Sequence, residues 1–264
     1  MSGIKKSLSI IAPPFIILVA LLTSWAGAVE LFNWPPFLVP GPALVVKAAI
    51  ANIDRLERGL INTFTAAATG IAFAILIGVL VAIIMSLSRF LEIGFYPWAV
   101  VLQTTPVVAI APLIVLWVGA GLSSVKLITF IIALFPILAN TLMGLRSTDL
   151  ALVDLLRMQG ASMWTILYKI RIPSSLPFFL TGLRISAGLG VIGAIVGEMV
   201  VGRGGDESGL GYYVIFSSTQ LKTDFLFATI ILSTSLGVTF FALAYILGWL
   251  TLRKWHESAI AVEE

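Results

Sequence analysis

Along the chain, apolar positions gather into six long runs separated by short polar connections. They cover about residues 8–29, 60–87, 97–118, 125–145, 176–201 and 225–252. Each reaches the roughly 20 residues that a helix needs to cross the hydrocarbon core of a bilayer. Six membrane-spanning helices are expected. Pro106, Pro112 and Pro136 lie within these runs and are read as kinks rather than breaks, since neighbouring helices can satisfy freed backbone groups. Residues 30–60 carry Trp34-Pro35-Pro36, Pro40-Gly41-Pro42 and a charged stretch Asp54–Arg58, which predict a turn-rich connection followed by a polar helix.

One polar interruption keeps a helical period. In residues 152–173, Leu152, Leu155 and Leu156 share one helical face and Gly160 breaks the phase. Met163, Ile166, Leu167 and Ile170 restart it, and Pro173 is expected to stop it. Two short amphipathic helices joined at a glycine follow from this. Such a unit between spans either lies on the lipid surface or docks into a partner.

Composition strengthens the membrane reading. Hydrophobic residues make up 59% of the chain, charged residues 11%, and mean hydropathy is +1.07. No soluble globular domain has this balance. The basic start and Ala26-Gly27-Ala28 resemble a secretory leader, but the apolar run continues through Trp25, longer than a leader core, and is read as the first span. The net charge of +3 is of the size that topology alone supplies, and no basic run interleaved with aromatics points to nucleic acid.

The cations orient the chain. With the N-terminus inside, the inner side holds Lys5, Lys6, Arg89, Arg146, Arg157, Lys169, Arg171, Arg253 and Lys254. The outer side holds Lys47, Arg55, Arg58, Lys126, Arg203 and Lys222. The excess inside predicts both termini in the cytoplasm, and with them residues 152–173. The glycine-rich stretch Gly202–Gly211 then falls outside.

Few residues could carry chemistry. There is no cysteine, and the single histidine, His256, lies in the polar tail, so neither a Ser-His hydrolase nor a His-ligated zinc site can be built within the spans. Gly188-Leu189-Gly190-Val191-Ile192-Gly193 matches a dinucleotide fingerprint by letter, but it lies inside an apolar helix and is read as helix packing, as is the pair Gly193 and Gly197. No phosphate-binding G-x-x-x-x-G-K-[ST] loop is present. Within the spans, Arg184, Glu198 and Asn140 are candidates for a solute pathway, with packing and interface roles as alternatives. Thr104, Thr105, Pro106 and Pro112 mark a helix with exposed carbonyls that could line the same route. This set is poorer in buried carboxylates than an ion-coupled secondary carrier, the competing transport class, would show.

The spacing Asp154-x(5)-Gly160-x(9)-Ile170-x-Ile172-Pro173 resembles the EAA signature of binding-protein-dependent ABC importer permeases, which reads E-A-A, three residues, G, nine residues, I-x-L-P. Asp154 stands for the acid, Leu155 and Leu156 for the alanines, and Ile172 for the leucine. Further stretches look like the nitrate/sulfonate/taurine branch, which also holds thiamine-precursor and riboflavin permeases. They include Pro106–Leu113, Trp117–Gly121, Phe135-Pro136-Ile137, Asn140-Thr141, Gly144-Leu145, Leu176-Pro177, Thr181–Ser186, Glu198 and Gly209–Tyr212.

The resemblance implies an all-α polytopic fold, a single permease domain over 1–264 with a cytoplasmic coupling loop at 150–173, in a bacterial or archaeal cytoplasmic membrane. In it, Asp154, Leu155, Leu156, Arg157, Gly160, Ala161, Met163, Ile170 and Pro173 would meet a dimeric cytoplasmic ATPase, which binds ATP and Mg while this chain holds no cofactor. A second permease copy and an extracytoplasmic binding protein complete the assembly, the latter docking near Gly209, Leu210, Gly211 and Tyr212. The implied solute is a small anion such as nitrate, bicarbonate, taurine or a sulfonate, or a heterocycle such as a thiamine pyrimidine precursor or riboflavin. The pattern Thr223–Thr229 with Trp255-His256 looks closer to the heterocycle group.

Overall fold

The computed structural model describes residues 2–201 and 204–253, and all regular structure among them is helical. In order these are α1 (Ser2–Leu31), α2 (Pro42–Ala51), α3 (Ile53–Leu87), α4 (Arg89–Thr104), α5 (Val107–Val118) and α6 (Leu122–Arg146). They are followed by α7 (Leu150–Met158), α8 (Met163–Ile166), α9 (Ile172–Val201), α10 (Leu210–Thr219) and α11 (Thr223–Leu252). Gly202 and Arg203 at the start of the glycine-rich stretch, Lys254 and the Trp255-His256 tail lie outside the described residues.

The chain forms two compact units. One comprises Met1–Glu57 with Tyr213–Leu232. In it Trp25 stacks on Phe227 with ring centroids 5.7 Å apart, and the Thr223 hydroxyl donates to the Phe37 carbonyl at 2.6 Å. Gly41 is extended before Pro42, whose fixed φ suits the first turn of α2 and whose missing N–H costs nothing there.

The other unit, Arg58–Tyr212 with Ser233–Glu264, is built on α3, α6 and α9. Glycines set how close these helices come. A Cβ on Gly70 would meet Thr129, and one on Gly78 would meet Ile137, while Arg146 Nη2 lies 3.5 Å from the Met85 carbonyl. Residue numbers rise together along α3 and α6, so the two helices run parallel. Along α9 they fall against α6: Gly144 abuts Ser175, Gly182 abuts Pro136, Gly193 abuts Thr129 and Gly197 abuts Val125. Between the helices Ile71, Ala74, Ala133, Ile137, Leu180, Leu183 and Ala187 are buried together. Burial of such side chains contributes roughly 25 cal/mol per Å² in water, but in lipid the close backbone approach and its van der Waals contacts hold the bundle.

Parallel packing of α3 and α6 fixes what lies between them. The chain leaves α3 at the end where α6 finishes and must return to the end where α6 begins, so α4 and α5 together traverse the bilayer. They do not do so as the single kinked helix expected over 97–118. The pair is bent by 97° between Thr104 and Val107. Pro106 is the cause: it lacks an N–H, and it pushes Thr105 into an extended conformation, so the ladder stops. The Thr104 and Thr105 hydroxyls both bond the Val101 carbonyl, at 3.1 and 2.7 Å, which finishes α4. Pro112 and Pro136, by contrast, sit inside intact helices. Counting this bent pair as one span, the described residues hold five apolar helices long enough to cross a bilayer and a sixth, broken, crossing.

A second correction concerns Pro173, which does not end a helix. Met163–Val201 forms one helical rod of 39 residues, with a π-turn at Leu167–Arg171. There the Ile172 N–H reaches back to the Leu167 carbonyl, five residues away. The wider turn makes room for the Pro173 ring, which would clash with the carbonyl four residues earlier in a regular α-helix.

Candidate functional site

The loop between α6 and α9 is assembled by local capping. Asp149 accepts the Ala151 N–H at 2.8 Å and starts α7. At the other end Ala161 N–H bonds Leu156 O at 3.0 Å and Gly160 N–H bonds Arg157 O at 2.9 Å, the paired bonds of a Schellman motif. Gly160 takes a positive φ of 77°, which a side chain would strain. Ser162 then caps α8 by accepting the Thr165 N–H at 3.2 Å.

Val153 and Ile166 anchor this loop to the bundle and are buried. Most of the other apolar side chains of α7 and α8 face out: Leu155 is 47% exposed, Met158 80%, Met163 50% and Trp164 67%. Asp154 and Arg157 pair at 3.3 Å on the surface of α7, a contact that contributes little by itself. Leu156, Ala161 and Ile170 are half-buried at the edges of this face, and Pro173 is exposed. The sequence pattern singled out Leu152, Leu155 and Leu156 but missed Val153, because a short helix with apolar residues at most of its positions leaves the inward one ambiguous.

At the opposite end of α9 a clasp forms around Glu198, which is only 4% exposed. Its Oε2 accepts from the Thr63 hydroxyl on α3 at 2.9 Å and from the Gly211 N–H at 2.8 Å. Thr63 also accepts the Leu210 N–H at 2.8 Å. Two open N–H groups of the first turn of α10 are thus served by side chains of other helices, and an acid at a helix N-terminus is well placed. A Cβ at Gly209 would collide with this carboxylate, and one at Gly211 with the Ile195 carbonyl. Gly209, Leu210 and Gly211 are buried while Tyr212 is half-buried; the exposed part of the segment is Gly204–Glu207. Asn62 secures it by donating to the carbonyls of Asp206 and Ser208 at 2.8 and 3.0 Å. Thr63 and Asn62 carry no sequence signal of their own.

The pathway candidates do not converge on one point. Arg184, half-buried, lays its guanidinium 4.9 Å from the Tyr245 ring centroid and against Gly248 on α11. Its Nε is buried without a hydrogen-bond partner among the described residues. Glu198 lies about four turns further along α9, roughly 20 Å away at about 1.5 Å of rise per residue. Asn140 donates to the Pro136 carbonyl at 2.8 Å and lines a cavity of about 340 Å³ with Glu92, Tyr96 and Arg146. Thr104 is exposed and Thr105 half-buried, beside the break at Pro106, and Pro112 is exposed.

Long apolar helices, a broken span and a capped loop between spans define a polytopic membrane protein. Its relatives agree. The model of the binding-protein-dependent transport system inner membrane component family matches residues 74–250, and the chain belongs to that family. It is similar to the formylaminopyrimidine transport permease protein ThiX of Halalkalibacterium halodurans, 35% identical over 90% of this chain and 93% of that one. It is also similar to the riboflavin transport system permease protein RibX of Chloroflexus aurantiacus, 33% identical over 92% and 90%. The taurine transport system permease protein TauC of Escherichia coli is 28% identical over 81% and 78%. The chain is therefore a multi-pass inner-membrane permease of an ABC importer for small solutes.

Proposed function

We propose that this permease imports a small nitrogen heterocycle, handed over by an extracytoplasmic binding protein and driven by a cytoplasmic ATPase dimer that binds ATP and Mg. Two copies of the chain form the channel, with both termini in the cytoplasm. The exposed apolar row of Leu155, Met158, Met163 and Trp164 on a rigidly capped loop is the observation that carries the energy-coupling part. Left in water this row is unfavourable; set in a partner groove, each fully buried side chain contributes about 1.5 to 3 kcal/mol. Asp154 and Arg157 give that contact a polar rim. The heterocycle assignment is supported by the similarity to ThiX and RibX, which extends over nine-tenths of this chain.

Mechanically, ATP-driven closure of the ATPase moves the loop, and the loop moves α9. The exposed Gly204–Glu207 turn at the far end of α9 suits contact with the binding protein. Proteoliposomes holding the permease, its ATPase and its binding protein test the reading. Uptake of a labelled aminopyrimidine or flavin should require ATP and survive collapse of ion gradients. Uptake of taurine or nitrate instead would overturn the heterocycle assignment, and gradient-driven uptake without ATP would overturn the ATPase assignment. Met158→Asp should abolish co-purification of the ATPase while insertion persists.

A further inference from the structure

A cavity of about 440 Å³ opens beside the coupling loop, at the ends of α3 and α6 and the start of the α9 rod. Four arginines line it: Arg89, Arg146, Arg157 and Arg171. Two carboxylates answer them. Glu92 pairs with Arg89 and Arg146, and Asp154 pairs with Arg157. Among the described residues no carboxylate pairs with Arg171. It donates instead to the Ser86 carbonyl at 3.1 Å and feels the charges of Arg157 and Arg146 across the gap. A guanidinium has five N–H donors in a planar fork, so the one bond of Arg171 leaves donors over at the edge of the cavity, and the four arginines outnumber the two carboxylates by two.

Apart from Ser86 and Thr148, the rest of the lining is apolar. Leu145, Val153 and Ile166 form a buried apolar wall on the bundle side. A free inorganic ion has no use for such a wall, whereas a headgroup carrying glycerol and acyl carbons does. The depth agrees as well, since the cavity lies where the apolar parts of three spans end.

We propose that this cavity is a binding site for the phosphodiester headgroup of an acidic phospholipid. The fork of Arg171, with Arg157 and Arg146, takes the phosphate oxygens, and the wall takes the glycerol. A bound lipid then supplies the missing anionic charge beside the loop and wedges between α7 and the ends of α3 and α6.

The full-length permease, purified in detergent, is offered phosphatidylglycerol or phosphatidylcholine of the same chains and weighed intact by native mass spectrometry. Phosphatidylglycerol should be retained in preference. Arg171→Gln and Arg157→Gln should each lower its retention about fivefold, the size expected for one basic residue at an anionic lipid surface. Arg157 is largely exposed, so its loss leaves the fold intact. Arg58→Gln, outside the cavity, should change nothing. Equal retention of the two lipids, or retention indifferent to both cavity variants, overturns the proposal. So does thermal protection by inorganic phosphate in a protein that retains no phosphatidylglycerol.

Discussion

The Thr63 hydroxyl lies 2.9 Å from the buried carboxylate of Glu198 and 2.9 Å from the Gly59 carbonyl, while accepting the Leu210 N–H at 2.8 Å. One proton serves two acceptors, so the hydroxyl is shared between its own helix and α9. Thr63→Val keeps the shape and removes both the donor and the acceptor. Buried Leu210 N–H then has no partner, at a cost of about 1 to 3 kcal/mol. Thermal unfolding of purified protein should show a lower midpoint for Thr63→Val and a smaller decrease for Thr63→Ser, which loses only a buried methyl group. Equal midpoints for the two variants would remove Thr63 from the clasp.

Helix contact through glycine makes a second prediction by contrast. A Cβ at Gly182 would lie 2.6 Å from the Pro136 carbonyl and 3.2 Å from the Ile137 Cα, both backbone, whereas one at Gly188 meets nothing within 4 Å. Gly182→Ala must push α9 from α6 and should cost about 1 to 3 kcal/mol. Gly188→Ala should be neutral or slightly stabilising, since alanine favours the helix. Folded yield and melting temperature of the two variants decide; a tolerated Gly182→Ala would mean that α6 and α9 pack less closely.

The break at Thr105-Pro106 can be measured directly. Spin labels at Trp98 and Leu116 would be roughly 27 Å apart along a straight helix and roughly 18 Å apart across a right-angle bend. The short distance is expected in the native sequence. Pro106→Ala restores the N–H and frees Thr105 to be helical, so part of the population should shift to the longer distance. A long distance in the unaltered chain would contradict the bend.

Topology is open to clean labelling because the chain has no cysteine. The α9 rod crosses once between Met158 and Asp206. In intact cells an impermeant maleimide should react with Asp206→Cys, which is exposed, and with Met158→Cys only after the membrane is opened. The reverse pattern would invert the orientation inferred from the Lys and Arg distribution.

Much of the bundle is readable from sequence because a span needs about 20 apolar residues and little else. Five of the expected runs recur as single helices within a few residues of their expected ends, with the fifth starting earlier and the second continuing back to Ile53. What was not readable depends on neighbours. Three prolines look alike in the sequence, yet only Pro106 breaks its helix, where Thr104 and Thr105 can close the preceding turn. Gly160 announced its bend, since a positive φ is what glycine is used for. The Glu198 clasp was hidden because its partner is 135 residues away. Its one trace is the pair Gly209 and Gly211, whose missing side chains leave room for the acid and for the Ile195 carbonyl.

The 39-residue rod from Met163 to Val201 begins in the capped loop on one side of the membrane and reaches the Glu198 clasp on the other. With a rise of about 1.5 Å per residue it is roughly 58 Å long. Under the proposed coupling it would act as a pushrod whose compliant stretch is the π-turn at Leu167–Arg171 and the turn before Pro177, which lacks an N–H. Force applied at Trp164 would then reach the first turn of α10 through the contact of Glu198 with the Gly211 N–H, without crossing a loop, and the stiffness of that stretch would set how much of the stroke is lost on the way.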